Sequence, residues 1–280
     1  MSTNTVSTTP TSSGEAFLRA RAEGRGALVG YLPVGFPDVP GSIEAMKAIC
    51  EGSQGRGVDL VEIGAPYSDP MMDGVTIQHA ATRAIERGVR TTDTMKAVEA
   101  VVKHGTPAVV MTYWALVDAY GVDAYARDLA NAGGSGLITP DLVPDEAEEW
   151  FEASDKYGLD RIFLIAPSST DQRLKMTTDA SRGWVYTTSV MGVTGARSQA
   201  STAAPDLVAR ARKVTDLPLG VGLGVSNGDQ AAQVCSYADG VIVGSALVNC
   251  LIDNERHGSN DLTRLREVTE DLAAGVRRRG

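Results

Sequence analysis

The sequence predicts an α/β fold, a (βα)8 TIM barrel, on three observations. Short apolar runs alternate with longer amphipathic segments along the whole chain, the runs are apolar at successive positions, and about eight of them can be counted. Runs such as AVVMT from Ala108 and GVIVG from Gly240 lack the alternation of a half-exposed strand, as expected where helices cover both faces of a parallel sheet. The 280 residues leave room for one barrel, which commonly takes about 250. A doubly wound open sheet shares the rhythm but sets no eightfold count.

Taken in order, the first residues, MSTNTVSTTPTSSG, are polar and have no apolar h-region, so 1–14 reads as a disordered tail and 15–280 as the barrel domain. An extra helix is expected over Glu15 to Glu23. The strands fall at Ala27 to Leu32, Asp59 to Ile63, Ala108 to Thr112, Gly136 to Ile138, Arg161 to Ile165, Trp184 to Thr187, Leu219 to Val221 and Gly240 to Val243. Between them, amphipathic segments predict helices over Ser42 to Gly52, Thr76 to Arg87 with Thr92 to His104, Asp123 to Ala132, Asp145 to Tyr157, Asp171 to Ala180, Pro205 to Val214 and Gly228 to Tyr237. Ser42, Asp123 and Asp171 are the expected N-caps. A helix follows Ser245, and a last one covers Leu262 to Arg278.

Composition narrows the function. The net charge of -9 and pI near 4.9 argue against a nucleic-acid or anionic-membrane surface, and no apolar run approaches membrane length. Cys50, Cys235 and Cys250 are widely spaced among apolar neighbours, which reads as reduced core thiols in a cytoplasmic protein. His79, His104 and His257 fall away from the strand ends, so no metal site is expected. No GxSxG elbow follows a strand.

Chemistry is expected where the second strand ends, in VEIGAPYSDPMMDG. Strand alternation sets Glu62 on the face opposite Val61 and Ile63. In a strand covered on both faces neither side is water, so burial raises the carboxyl towards a range where it can donate and accept a proton near neutrality. No basic residue lies near it in sequence to make a structural ion pair. Asp69 and Asp73 follow in the loop; a wetter acid there keeps its charge and can divide acid and base roles with Glu62, although Ser-Asp-Pro and Asp-Gly also simply make turns. In a barrel this segment lies over the mouth, at the C-terminal ends of the strands.

The far end of the chain carries three glycine clusters at successive strand ends: MGVTGAR with Gly192 and Gly195, GLGVSNG with Gly222, Gly224 and Ser226, and VGSAL with Gly244 and Ser245. Glycine lets backbone N–H groups approach a ligand, and a helix N-terminus favours a dianion. Barrels commonly hold phosphate at the loops after strands seven and eight. Each cluster alone is a turn; together they predict a phosphate site that needs no lysine. Tyr186 ends the sixth strand, where it is either a core aromatic or a mouth residue. Thr194 sits between two glycines as a turn threonine or a lid residue.

These segments, with TPDLVPDE from Thr139, IFLIAPSS from Ile162 and ADGVIVGSA from Ala238, resemble the tryptophan synthase alpha subunit family in register from about Gly26 to Leu251. The acidic motif and MGVTG are the specific part of the match. The resemblance implies a barrel that cleaves indole-3-glycerol phosphate to indole and glyceraldehyde 3-phosphate without a cofactor. Indole would then pass to a beta subunit, which holds pyridoxal phosphate, in an alpha2beta2 complex. It places the catalytic glutamate on Glu62 and the catalytic aspartate on Asp73, the substrate tyrosine on Tyr186 and the loop threonine on Thr194. Phosphate contacts fall on Gly195, Gly224, Gly244 and Ser245, and the indole pocket on Tyr31, Met111, Ile138 and Leu223. Pro66, Asp69 and Ala115 fall on the partner interface.

Two positions depart from the family pattern. Val75 stands where the family usually has proline after Asp-Gly, and Ala115 where it commonly has asparagine. The first frees the backbone after Asp73; the second alters the docking surface. Two other readings accompany the lyase: a non-catalytic subunit that activates a partner by docking, and another phosphate-binding barrel such as a sugar-phosphate isomerase.

Overall fold

A computed structural model of the protein describes residues 12–188 and 203–278. The chain opens with α1 (Gly14–Ala22), β1 (Ala27–Pro33), α2 (Val39–Glu51), β2 (Leu60–Gly64), α3 (Val75–Glu86), α4 (Thr91–Lys103) and β3 (Ala108–Met111). It continues through α5 (Trp114–Tyr120), α6 (Val122–Asn131), β4 (Gly136–Ile138), a 3-10 turn (Pro144–Glu146), α7 (Glu148–Tyr157), β5 (Asp160–Ile162), β6 (Leu164–Ile165), α8 (Asp171–Ala180) and β7 (Val185–Thr188). The described chain ends with α9 (Ala203–Ala211), β8 (Leu219–Gly222), α10 (Gly228–Cys235), β9 (Gly240–Val243), α11 (Ser245–His257) and α12 (Thr263–Val276).

All pairings are parallel, in the order β5-β4-β3-β2-β1-β9-β8-β7-β6. The two ends of that sheet, β5 and β6, are consecutive pieces of one segment parted only by Phe163. The expected fifth strand is therefore split in two, and the sheet closes as a (βα)8 barrel. Two apolar layers follow from strand parity. Residues such as Leu28, Val61, Val110 and Val241 face the helices, whereas Val29, Leu60, Val109, Ile138, Ile162, Trp184 and Ile242 fill the interior.

The helix at Gly14–Ala22 plugs the N-terminal end of the barrel. Ala16, Phe17 and Ala20 join the interior layer, and Phe17 packs on Trp184 with ring centroids 5.0 Å apart. Buried carboxylates pin this end. Asp160 accepts from the Ser13 N–H at 2.6 Å, the Ser13 hydroxyl at 2.7 Å and the Ser12 hydroxyl at 3.0 Å. Asp239 accepts from Arg21 at 2.7 Å and the Leu219 N–H at 2.8 Å. Ser12 to Gly14, part of the expected tail, thus belong to the fold: the buried Asp160 takes the Ser12 and Ser13 donors, and α1 starts at Gly14. Residues 1–11 lie outside the described residues.

The caps differ from expectation by one to four residues. Asp38, not Ser42, caps α2, accepting from the Gly41 N–H at 2.6 Å; Ser42 sits in the first turn and accepts from the Gly35 N–H at 3.0 Å. Thr170 caps α8, with Asp171 its first helical residue. Asp123 lies in the first turn of α6 and pairs with Lys156 at 2.6 Å. In each case an earlier residue of extended or otherwise non-helical backbone stands at the turn into the helix. The helix α5 is not among the helices that the sequence predicts.

Candidate active site

Parity carries Glu62 into the barrel. Val61 and Ile63 pack outward among the helix-facing residues, so Glu62 points inward beside its register partner Tyr31. It is 1% exposed, and its Oε2 has no hydrogen-bond partner among the described residues. An isolated buried carboxylate is costly to charge. Burial, with the nearby Asp73 carboxylate adding to it, pushes Glu62 up to about 8. Asp73 is itself pushed up to about 6 by burial. The two acids therefore titrate as neighbours in one site.

Both acids line a cavity of about 310 Å³ at the C-terminal mouth. Met111, Leu164, Ile77 and Ile242 give it apolar walls, and Tyr31 and Tyr186 line it too. Both tyrosine hydroxyls are buried beside the carboxylates, which holds their acidity well below that of free tyrosine; they stay protonated donors. Two glycines make room for these rings. A Cβ on Gly64 would lie 2.2 Å from the Tyr31 hydroxyl, and one on Gly222 would lie 2.7 Å from that of Tyr186.

The same cavity is lined by Gly224, Gly244 and Ser245. Gly224 adopts φ 69, a left-handed conformation that favours glycine, and Ser245 opens α11, whose first N–H groups have no intrahelical partner. Among the described residues no group of three or more His, Cys, Asp or Glu could hold a metal ion. No described helix is long and apolar enough to cross a membrane.

A barrel whose mouth pairs two raised carboxylates with a glycine-lined end matches the family model for the tryptophan synthase alpha chain over residues 17–277. The chain belongs to the tryptophan synthase alpha chain family. It is 60% identical over 266 residues to the tryptophan synthase alpha chain of Mycobacterium avium, covering 95% of this chain and 94% of that protein. To the Salinispora tropica alpha chain it is 61% identical over 264 residues, covering 94% and 97%. Among solved structures it is similar to Mycobacterium tuberculosis tryptophan synthase, at 58% identity and TM-score 0.87, covering 95% of this chain and 98% of that one. A mutant alpha subunit from Pyrococcus furiosus aligns at 31% identity and TM-score 0.80, covering 89% and 98%. As a member of the tryptophan synthase alpha chain family the protein is a carbon–carbon lyase subunit of tryptophan biosynthesis.

The structure brings Glu62, Asp73, Tyr31, Met111, Tyr186, Leu223, Gly224, Gly244 and Ser245 to one cavity. Ile138 is not in its wall. It is fully buried in the interior layer below, and Pro140, two residues further along the same parity, lines the cavity instead. Thr194 and Gly195 lie outside the described residues. Asp69 and Ala115 are exposed and Pro66 is partly so. Sequence reasoning missed Leu164, Thr188 and Ile242 in the wall, although inward parity from Tyr186 and Gly244 pointed to the last two. Met71 and Met72, also lining the mouth, carried no signal beyond lying in the acid loop.

Proposed function

We propose that Glu62 and Asp73 divide the cleavage of indole-3-glycerol phosphate between them, Glu62 moving the proton and Asp73 holding the indole ring. The observation that carries this reading is Glu62 itself: an acid raised to about 8, with an unpartnered oxygen, in the wall of the cavity that Asp73 also lines. Protonated Glu62 donates to C3 of the indole ring. The bond from C3 to the glycerol carbon then breaks, its electron pair returning to the ring, while the C3' hydroxyl gives its proton back to Glu62 and becomes the aldehyde of glyceraldehyde 3-phosphate. Ionised Asp73 accepts from the indole N–H and offsets the positive charge that protonation creates.

Met111, Leu223 and the Tyr31 and Tyr186 rings flank the indole, and Gly224, Gly244 and Ser245 take the phosphate at the positive end of α11. Thr194 and Gly195 complete the substrate contacts. The reaction requires no cofactor from this chain, because every proton moved starts and ends on Glu62. The chain acts as one barrel domain in the cytoplasm and passes indole to a beta subunit in an alpha2beta2 complex. Pro66, Asp69 and Ala115 face that partner, which carries the pyridoxal phosphate.

The test is indole release from indole-3-glycerol phosphate by the full chain, alone and with a beta subunit. Glu62→Gln is expected to lower turnover by at least about 10³-fold, since one group supplies both proton transfers. Equal turnover for Glu62→Gln and the parent chain would sink this assignment. Turnover of an aldose or ketose phosphate, with none of the indole compound, would point to an isomerase instead.

A further inference from the structure

Asp73 lies at the end of an irregular loop, where a carboxylate has no regular ladder to fix it. The loop is nevertheless tied from two sides. The Gln78 side-chain amide, in the first turns of α3, reaches back to donate to the Asp73 carbonyl at 2.9 Å and the Pro70 carbonyl at 3.4 Å. From the other side the Tyr113 hydroxyl accepts from the Met72 N–H at 3.0 Å. Tyr113 follows β3 and N-caps α5; its ring is buried and stacks on Tyr67 with centroids 4.9 Å apart. The Asp73 N–H itself donates to the Pro70 carbonyl at 3.2 Å. Polar backbone atoms of Pro70, Met72 and Asp73 are thus held by side chains rooted on two different elements. Neither Gln78 nor Tyr113 lines the cavity.

We infer that Gln78 and Tyr113 are positioning residues that hold the 70–73 loop from α3 and from the end of β3, so that the Asp73 carboxylate meets the indole nitrogen without a search. This rests on the proposed role of Asp73. A carboxylate left to move by about 1 Å forfeits much of the advantage of a preset geometry. Because Gln78 and Tyr113 touch the loop and not the substrate, their loss acts on turnover through Asp73. The grip on the phosphate end, built on β8, β9 and α11, stays intact.

The experiment uses the full chain with Gln78→Met, Tyr113→Phe, Asp73→Asn and the doubles. The first two remove one polar group each and keep the side chain's bulk. Each is expected to lower kcat for indole release by roughly 10- to 100-fold, with KM and the thermal midpoint near the parent's. In the Asp73→Asn background the same changes should cost less than about twofold, because groups that act as a unit are not additive. If Asp73→Asn leaves turnover unchanged, the reading of Asp73 fails and the positioning role with it. If Asp73→Asn lowers turnover but Gln78→Met and Tyr113→Phe keep the parent kcat, the positioning role alone is overturned. It is equally overturned if they lower kcat by the same factor in both backgrounds, or shift only the thermal midpoint.

Discussion

Between about 6 and about 8 the Asp73 carboxyl has lost its proton and Glu62 still holds one. That is the charge state in which one acid can donate to carbon while the other anchors a developing cation. The kcat/KM profile for indole release is therefore expected to be bell-shaped, rising as Asp73 ionises and falling as Glu62 loses its proton, with the limbs belonging to the pair. A profile flat from pH 5 to 9 would rule the pair out. Stability carries the same signature with its own sign. Glu62 binds its proton more tightly folded than unfolded, so its ionisation adds no folding penalty below about 4.5 and a progressively larger one as pH rises to about 8. Glu62→Gln removes that slope. In urea unfolding the variant should gain on the parent by up to about 1.4 kcal/mol per pH unit across this window, and parallel curves would contradict the burial argument. At the same scale Gly64→Ala sets a methyl against the Tyr31 hydroxyl, where a Cβ would stand at 2.2 Å. The ring has to turn into the cavity, so KM is expected to rise several-fold with the fold retained.

Elements were legible in the sequence where one force dominates. The strands at Gly136–Ile138 and Gly240–Val243 begin and end where apolar runs meet glycine or a polar residue, and the facing of Glu62 away from Val61 and Ile63 followed from alternation. The break at Phe163 was not legible, because closure of the barrel and not local pattern decides where the fifth strand loses its ladder. Nor were the caps at Asp38 and Thr170, since neighbouring Ser42 and Asp171 carry the same capping chemistry and only backbone geometry selects among them. The role of Ser13 was hidden for a different reason. Its partner Asp160 is distant in sequence, and a polar tail shows no sign of an acid waiting for it. This contact yields a prediction at its own scale. Asp160→Ala leaves the Ser13 N–H and hydroxyl buried without their acceptor, which should cost roughly 2–4 kcal/mol. The lesion lies at the plugged end of the barrel, so urea unfolding should shift while kcat measured well below the transition stays near the parent value. A fall in kcat at unchanged stability would show that the two ends are coupled.

For the molecule as a whole, the acids enter from β2 and its loop, while the proposed phosphate cradle enters from β8, β9 and α11. Both flank β1 in the closed sheet, so a phosphate ligand that binds only the folded barrel stabilises strands on both sides of the site. Glycerol 3-phosphate carries the phosphate end of the substrate without the indole. At 100 times its dissociation constant it should add about 2.7 kcal/mol to the unfolding free energy by mass action alone. Ser245→Asp places a negative charge at the first residue of α11, where the helix dipole welcomes an anion already. The helix keeps a favourable N-terminal acid, but a phosphate now meets like charge. Stability without ligand is therefore expected to hold or rise slightly, while the gain from glycerol 3-phosphate disappears. If the variant keeps the full ligand-dependent gain, the phosphate lies elsewhere, and the orientation that sets the indole beside Glu62 and Asp73 has to be reversed.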